Sequence, residues 1–183
     1  MCKNRCIKLG HHGTDFDSGQ SILKSKFKPS RGNYHWLGDG VYFFENNIQM
    51  AIEWCKAESQ SRSRRYNRYV ILKSCIAFKL AEILDLTSEE GSALFHGHRD
   101  ILIDRIKGAE YGVKVDDGKV INQLCKFFPY KVIYSKFYIK ILRDRVLNLN
   151  SRITNCSVLC IRDVDNCISD TLICREGDTS DGC

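Results

Sequence analysis

Proline is scarce in this sequence, with two in 183 residues, and no segment is low in complexity. Long disordered linkers are therefore not expected, and the length suits one domain with a core of its own. No internal repeat is found. No stretch approaches membrane-spanning length. The first residues, Met1–Cys2–Lys3–Asn4–Arg5–Cys6–Ile7–Lys8, lack the apolar centre of a signal peptide. The expectation is a cytoplasmic protein, or one secreted without a leader. No CxxC occurs among the ten cysteines, so no metal site is expected. Cys55, Cys75, Cys125 and Cys160 lie in apolar stretches, where a reduced thiol acts as a small core residue.

What is present is ordinary in bulk. Hydrophobic residues make up 43% and charged residues 27%, as in a soluble globular chain. A net charge of +6 suits an anionic ligand and a solvated surface equally. The pattern predicts an α+β domain over residues 1–170, followed by a polar tail, 171–183, that frays.

In order, Ile7–Leu9 reads as a short strand, and Asp15, Asp17 and Ser18 cap a helix carrying Ile22, Leu23 and Phe27. Val41–Tyr42–Phe43–Phe44 has the content of a buried strand, and Asn46–Asn47 caps an amphipathic helix with Ile48, Ala51, Ile52 and Cys55. Ser59–Arg68 is a basic loop. The nearly unbroken apolar run Tyr69–Phe78 predicts a central strand covered on both faces. Leu84–Thr87 reads as a turn, a helix follows to Lys107 with a break near Gly97, and Asp116–Gly118 is another turn. Tyr130–Leu142 is one strand or two, and Val158–Ile161 is the last.

One stretch carries more than structure. In Trp36–Leu37–Gly38–Asp39–Gly40–Val41–Tyr42–Phe43–Phe44 two glycines flank an acidic turn that feeds the strand. Such a turn needs positive φ or close backbone approach to a ligand. Upstream stands His11–His12–Gly13–Thr14, and downstream the helix holds Trp54–Cys55. Taken in this order, these residues resemble the poly(ADP-ribose) polymerase-like, diphtheria-toxin-type branch of the ADP-ribosyltransferases, as a stand-alone bacterial-type member. There a His-Gly-Thr strand end precedes a Gly-x-Gly-Ile-Tyr-Phe turn and strand, and an aromatic residue follows on a helix. The close match runs from Leu9 to Lys56.

The resemblance implies a split antiparallel sheet with flanking helices, and NAD as co-substrate for mono-ADP-ribosyl transfer to a protein or nucleic acid. By it, His12 binds the adenosine ribose, and Gly13 offers its backbone to the nicotinamide carboxamide. Tyr42 stacks on the ring, Trp54 forms the opposite wall, Gly40 shapes the edge and Thr14 adds a hydrogen bond. His35, Trp36, Arg64 and Arg65 flank the cleft as acceptor contacts. The family's third element is a Glu or Gln at the start of a late strand, and Val158 holds that position here; Gln123 and Glu110 are the fallback positions. The missing carboxylate opens an alternative, a binding module that holds NAD or ADP-ribose without cleaving it. A further alternative is RNA binding by Arg62, Arg64, Arg65 and Arg68, with Tyr66 stacking on a base.

Overall fold

The apolar run of residues 69–78 lies within β3 (Arg68–Lys79), and the fold is built out from it. Val70, Ile71 and Leu72 are completely buried, so both faces of the strand are covered, as its composition requires. On one side β3 pairs antiparallel with β1 (Arg5–Asp15) along the whole length of that strand, from Arg5 opposite Lys79 to Asp15 opposite Tyr69. On the other it pairs with β7 (Ile168–Asp178). The computed structural model describes residues 4–32, 35–61, 65–107 and 115–180.

The remaining strands are β2 (Val41–Glu45), β4 (Ile83–Asp85), β5 (Val132–Phe137) and β6 (Cys156–Ile161). They complete a seven-stranded sheet of order β4-β5-β6-β2-β1-β3-β7, in which only β4 and β5 run parallel. Side chains alternate between its faces, so adjacent residues serve two cores. Phe44, Ile71, Val158 and Cys160 join the cluster under α2 (Ile48–Ser59) and α4 (Asp117–Leu124). Phe43, Leu72, Leu159 and Ile161 join the other, with Phe27 just past α1 (Phe16–Ser25) and Cys167 of α6 (Val164–Cys167). Helix α3 (Glu89–Lys107) packs on α4, and α5 (Leu142–Val146) on α2. The chain is a mixed α+β protein. No described helix is long and apolar enough to cross a membrane.

Several boundaries differ from the sequence pattern. The tail expected to fray from residue 171 is instead the body of β7. Its polar side chains face solvent at the sheet edge while its backbone bonds to β3, and the Ser74 and Thr171 hydroxyls lie 2.9 Å apart. β6 is accordingly not the last strand. β1 outruns the predicted Ile7–Leu9 because β3 offers it a partner throughout, so His12–Gly13–Thr14 is strand. Helix α3 runs through Gly97 unbroken, since an exposed glycine costs a helix only about 1 kcal/mol. Leu84 sits in β4 rather than a turn, and Gly118 lies inside α4.

Candidate functional site

The ladder between β1 and β2 is short: Gly10 faces Glu45, His11 faces Phe44, and Asn46 N–H closes it on Leu9 C=O at 2.8 Å. Carried two steps further, the same register would set Gly13 opposite Tyr42. That pairing is absent. The His12 ring takes its place, with Nδ1 2.8 Å from the Tyr42 carbonyl oxygen. A carbonyl only accepts, so Nδ1 is the donor of this hydrogen bond. Backbone groups alternate sides along a strand. Leu9 faces β2, and so do the N–H and C=O of Gly13, at the point where β2 has departed.

The gap opens into a cleft of about 1380 Å³. His12, Gly13 and Thr14 form its β1 wall; Gly40, Val41 and Tyr42 form its β2 wall. Trp54, His35, Trp36, Arg65 and Val158 also line it. Nearly all the residues singled out in the sequence therefore meet in one place. Arg64 and Glu110 lie outside the described residues, as does Arg62. Gln123 is on α4, away from the cleft lining.

Tyr42 is half-buried and its hydroxyl is fully engaged. It accepts from Leu37 N–H at 3.0 Å and donates to Gly38 C=O at 2.7 Å. Burial raises the phenol above its usual pKa, so it stays protonated. What it offers the cleft is therefore its ring rather than an acid or base. The His35 ring lies 6.0 Å from it, tilted by 40°. The turn that fixes Tyr42 is held from outside. Asp39 N–H donates to Asn122 Oδ1 at 2.9 Å, and Arg162 Nη1 donates to the same oxygen at 2.7 Å and to Asp39 C=O at 3.0 Å. Gly38 has φ +78°, and a Cβ there would meet Asn122 Oδ1 at 2.5 Å. Asn122 and Arg162 carry no motif that sequence reading would flag; only the fold brings α4 and the end of β6 to this turn.

The glycine at position 13 has a packing cause as well. A Cβ would sit 2.5 Å from Cys55 Sγ and 2.6 Å from Ala51 C=O, so α2 rests directly on it. Gly40 is likewise pressed against Cys160 and Ile161 of β6. Thr14 Oγ1 reaches Asp15 at 3.4 Å, a long contact. Trp54 stands edge-on to Trp36 with ring centres 5.8 Å apart, and Trp36 is 44% exposed at the mouth. Tyr66 donates its hydroxyl to Cys55 C=O at 2.9 Å, which pins its ring against α2 rather than leaving it to stack.

Val158 lies directly opposite Phe44 across the β2–β6 ladder and is buried. It faces the same cleft as Tyr42, at the position where the resemblance expects Glu or Gln, and brings an apolar wall. Among the described residues no group of three His, Cys, Asp or Glu side chains is placed to hold a metal ion. The described cysteines are all unpaired, and burial raises the thiols of Cys55 and Cys160 to about 12.

The chain is 32% identical over 123 residues to an uncharacterized protein of Methanocaldococcus jannaschii, MJ0359. The matched part is 63% of this chain and 55% of that protein, so the chain spans about half the length of the curated relative it matches. No family model and no solved structure matches it.

Proposed function

We propose that the cleft binds NAD and that the protein is a mono-ADP-ribosyltransferase, moving ADP-ribose to a macromolecular acceptor with release of nicotinamide. The observation that carries this is the opening of β1 from β2, which gathers His12, Gly13, Tyr42 and Trp54 around one cavity. The finer fold belongs to the same proposal: the β1–β2 gap is read as the split of an ADP-ribosyltransferase-type sheet. At about 1380 Å³ the cavity exceeds the roughly 300–1,000 Å³ of common small-molecule sites, leaving room for a dinucleotide and part of an acceptor.

In this reading the carboxamide of nicotinamide takes the ladder position that β2 vacates, pairing with Gly13 N–H and C=O. Tyr42 and Trp54 hold the ring between them. His12, fixed by the Tyr42 carbonyl, stands beside the adenosine ribose and positions its hydroxyl. Arg65, Lys26 and Lys28 line the cleft and supply positive charge for the pyrophosphate. Holding both halves of NAD rigidly lowers the barrier to departure of nicotinamide. Incubation with NAD labelled in the adenylate half and a cell lysate is expected to label macromolecules and release nicotinamide. Neither labelling nor release would overturn the transferase reading.

Val158 specifically favours a second reading, in which NAD is bound and not cleaved. Calorimetry separates the two: binding without turnover supports the second, and absence of binding removes both.

A further inference from the structure

Breaking the nicotinamide–ribose bond leaves positive charge on the ribose, and a carboxylate beside it stabilises that charge. Val158 supplies none. The carboxylates among the described cleft-lining residues are Asp15, Asp17 and Glu58. Asp15 is committed to capping α1, accepting from Ser18 N–H at 2.9 Å. Asp17 is exposed on the first turn of the same helix.

Glu58 differs from both. It lies one helical turn beyond Trp54 on α2, so the two side chains share a face. The Trp54 ring is 6.4 Å from that of Phe44, and Phe44 is the residue opposite Val158. Val158, Phe44, Trp54 and Glu58 thus form one continuous wall. Arg145 of α5 fixes the carboxylate: its Nη2 lies 3.1 Å from Glu58 Oε1, its Nη1 donates to Ala57 C=O at 3.1 Å and its Nε to Lys140 C=O at 3.2 Å. A guanidinium held at three points orients its partner instead of swinging with it.

We propose that Glu58 is the catalytic carboxylate of this site, a role moved from the β6 position of Val158 to the last turn of α2. The inference rests on the transferase reading above. In the step it serves, the C1′–N1 bond breaks and its electron pair neutralises the pyridinium nitrogen. An acceptor lone pair then bonds to C1′ and its proton passes to solvent, while the Glu58 carboxylate holds a ribose hydroxyl and offsets the positive charge.

The test measures nicotinamide release from NAD, and NAD affinity by calorimetry, on the full chain. Glu58→Gln is expected to slow release at least 100-fold with NAD affinity changed less than 3-fold, and Asp100→Asn, on the exposed side of α3 and outside the cleft lining, to leave release unchanged. Adding Val158→Glu to Glu58→Gln is expected to restore at least 10-fold of the loss, which a merely structural Glu58 would not allow. Arg145→Met, whose melting temperature gauges the worth of the ion pair, is expected to cost less activity than Glu58→Gln. Release by Glu58→Gln within 3-fold of the wild type overturns the assignment and leaves the transferase reading intact. A wild type that binds NAD without releasing nicotinamide overturns both, and leaves the binding reading.

Discussion

Tyr42 has two separable parts, and substitution divides them. Its ring faces the cleft, while its hydroxyl ties Leu37 N–H and Gly38 C=O into the turn. Tyr42→Phe keeps the ring and leaves those two backbone groups short of a partner, so stability is expected to fall by about 1–3 kcal/mol in urea unfolding, with NAD affinity nearly kept. Tyr42→Ala removes the platform too, and calorimetry is expected to show NAD binding at least 10-fold weaker. His11 is a different case. It is 6% exposed, its Nδ1 has no hydrogen-bond partner among the described residues, and burial together with the charge of Lys73 holds its pKa below the usual value. The unfolded chain, with a histidine pKa of about 6.5, then binds a proton that the folded chain resists. The stability from His11 is present above about pH 6.5 and is lost as pH falls through the lower folded value. Urea midpoints measured from pH 7.5 down to 5 are expected to fall, and to fall less in His11→Phe.

At the scale of elements, β7 shows how a polar segment becomes structural. Its composition matches a solvated tail, yet it supplies the second neighbour of β3, the strand on which both cores rest. Truncation before Ile168 is expected to cost on the order of 3 kcal/mol or more, because β3 becomes an edge and the core loses Ile168 and Ile173, which pack against it. Circular dichroism and limited proteolysis would record it. The same scale explains the turn at Gly38. Its two glycines are visible in the sequence, but the Asn122 and Arg162 contacts that fix it come from α4 and the end of β6. Helix α2 likewise explains Gly13 by close packing, a cause that motif reading attributes to ligand alone.

For the whole molecule, the decisive feature is the end of the β1–β2 ladder after His11. The seven strands stay one sheet, and the cleft opens where β1 and β2 cease to pair. A ligand in this cleft stabilises the folded state by mass action, by about 2.7 kcal/mol at 100 times its dissociation constant. Thermal unfolding with NAD is therefore expected to shift upward, and Tyr42→Ala to cut the shift by about half or more at the same NAD concentration. The sequence by itself determined the strand and helix signals around Leu9–Lys56 and the α+β class, while the resemblance carried by its motifs pointed to part of the cleft lining. The element signals follow from local periodicity and turn chemistry, which are properties of neighbouring residues. Tertiary structure alone decided that β1 runs on through Thr14, that the polar tail is a strand, that Val158 brings an apolar wall to the cleft, and that Glu58 stands on the same wall. Each of these depends on a partner distant in the chain: β3 for β1 and β7, Phe44 for Val158, and Arg145 for Glu58. Pairing of that kind leaves no trace in local pattern.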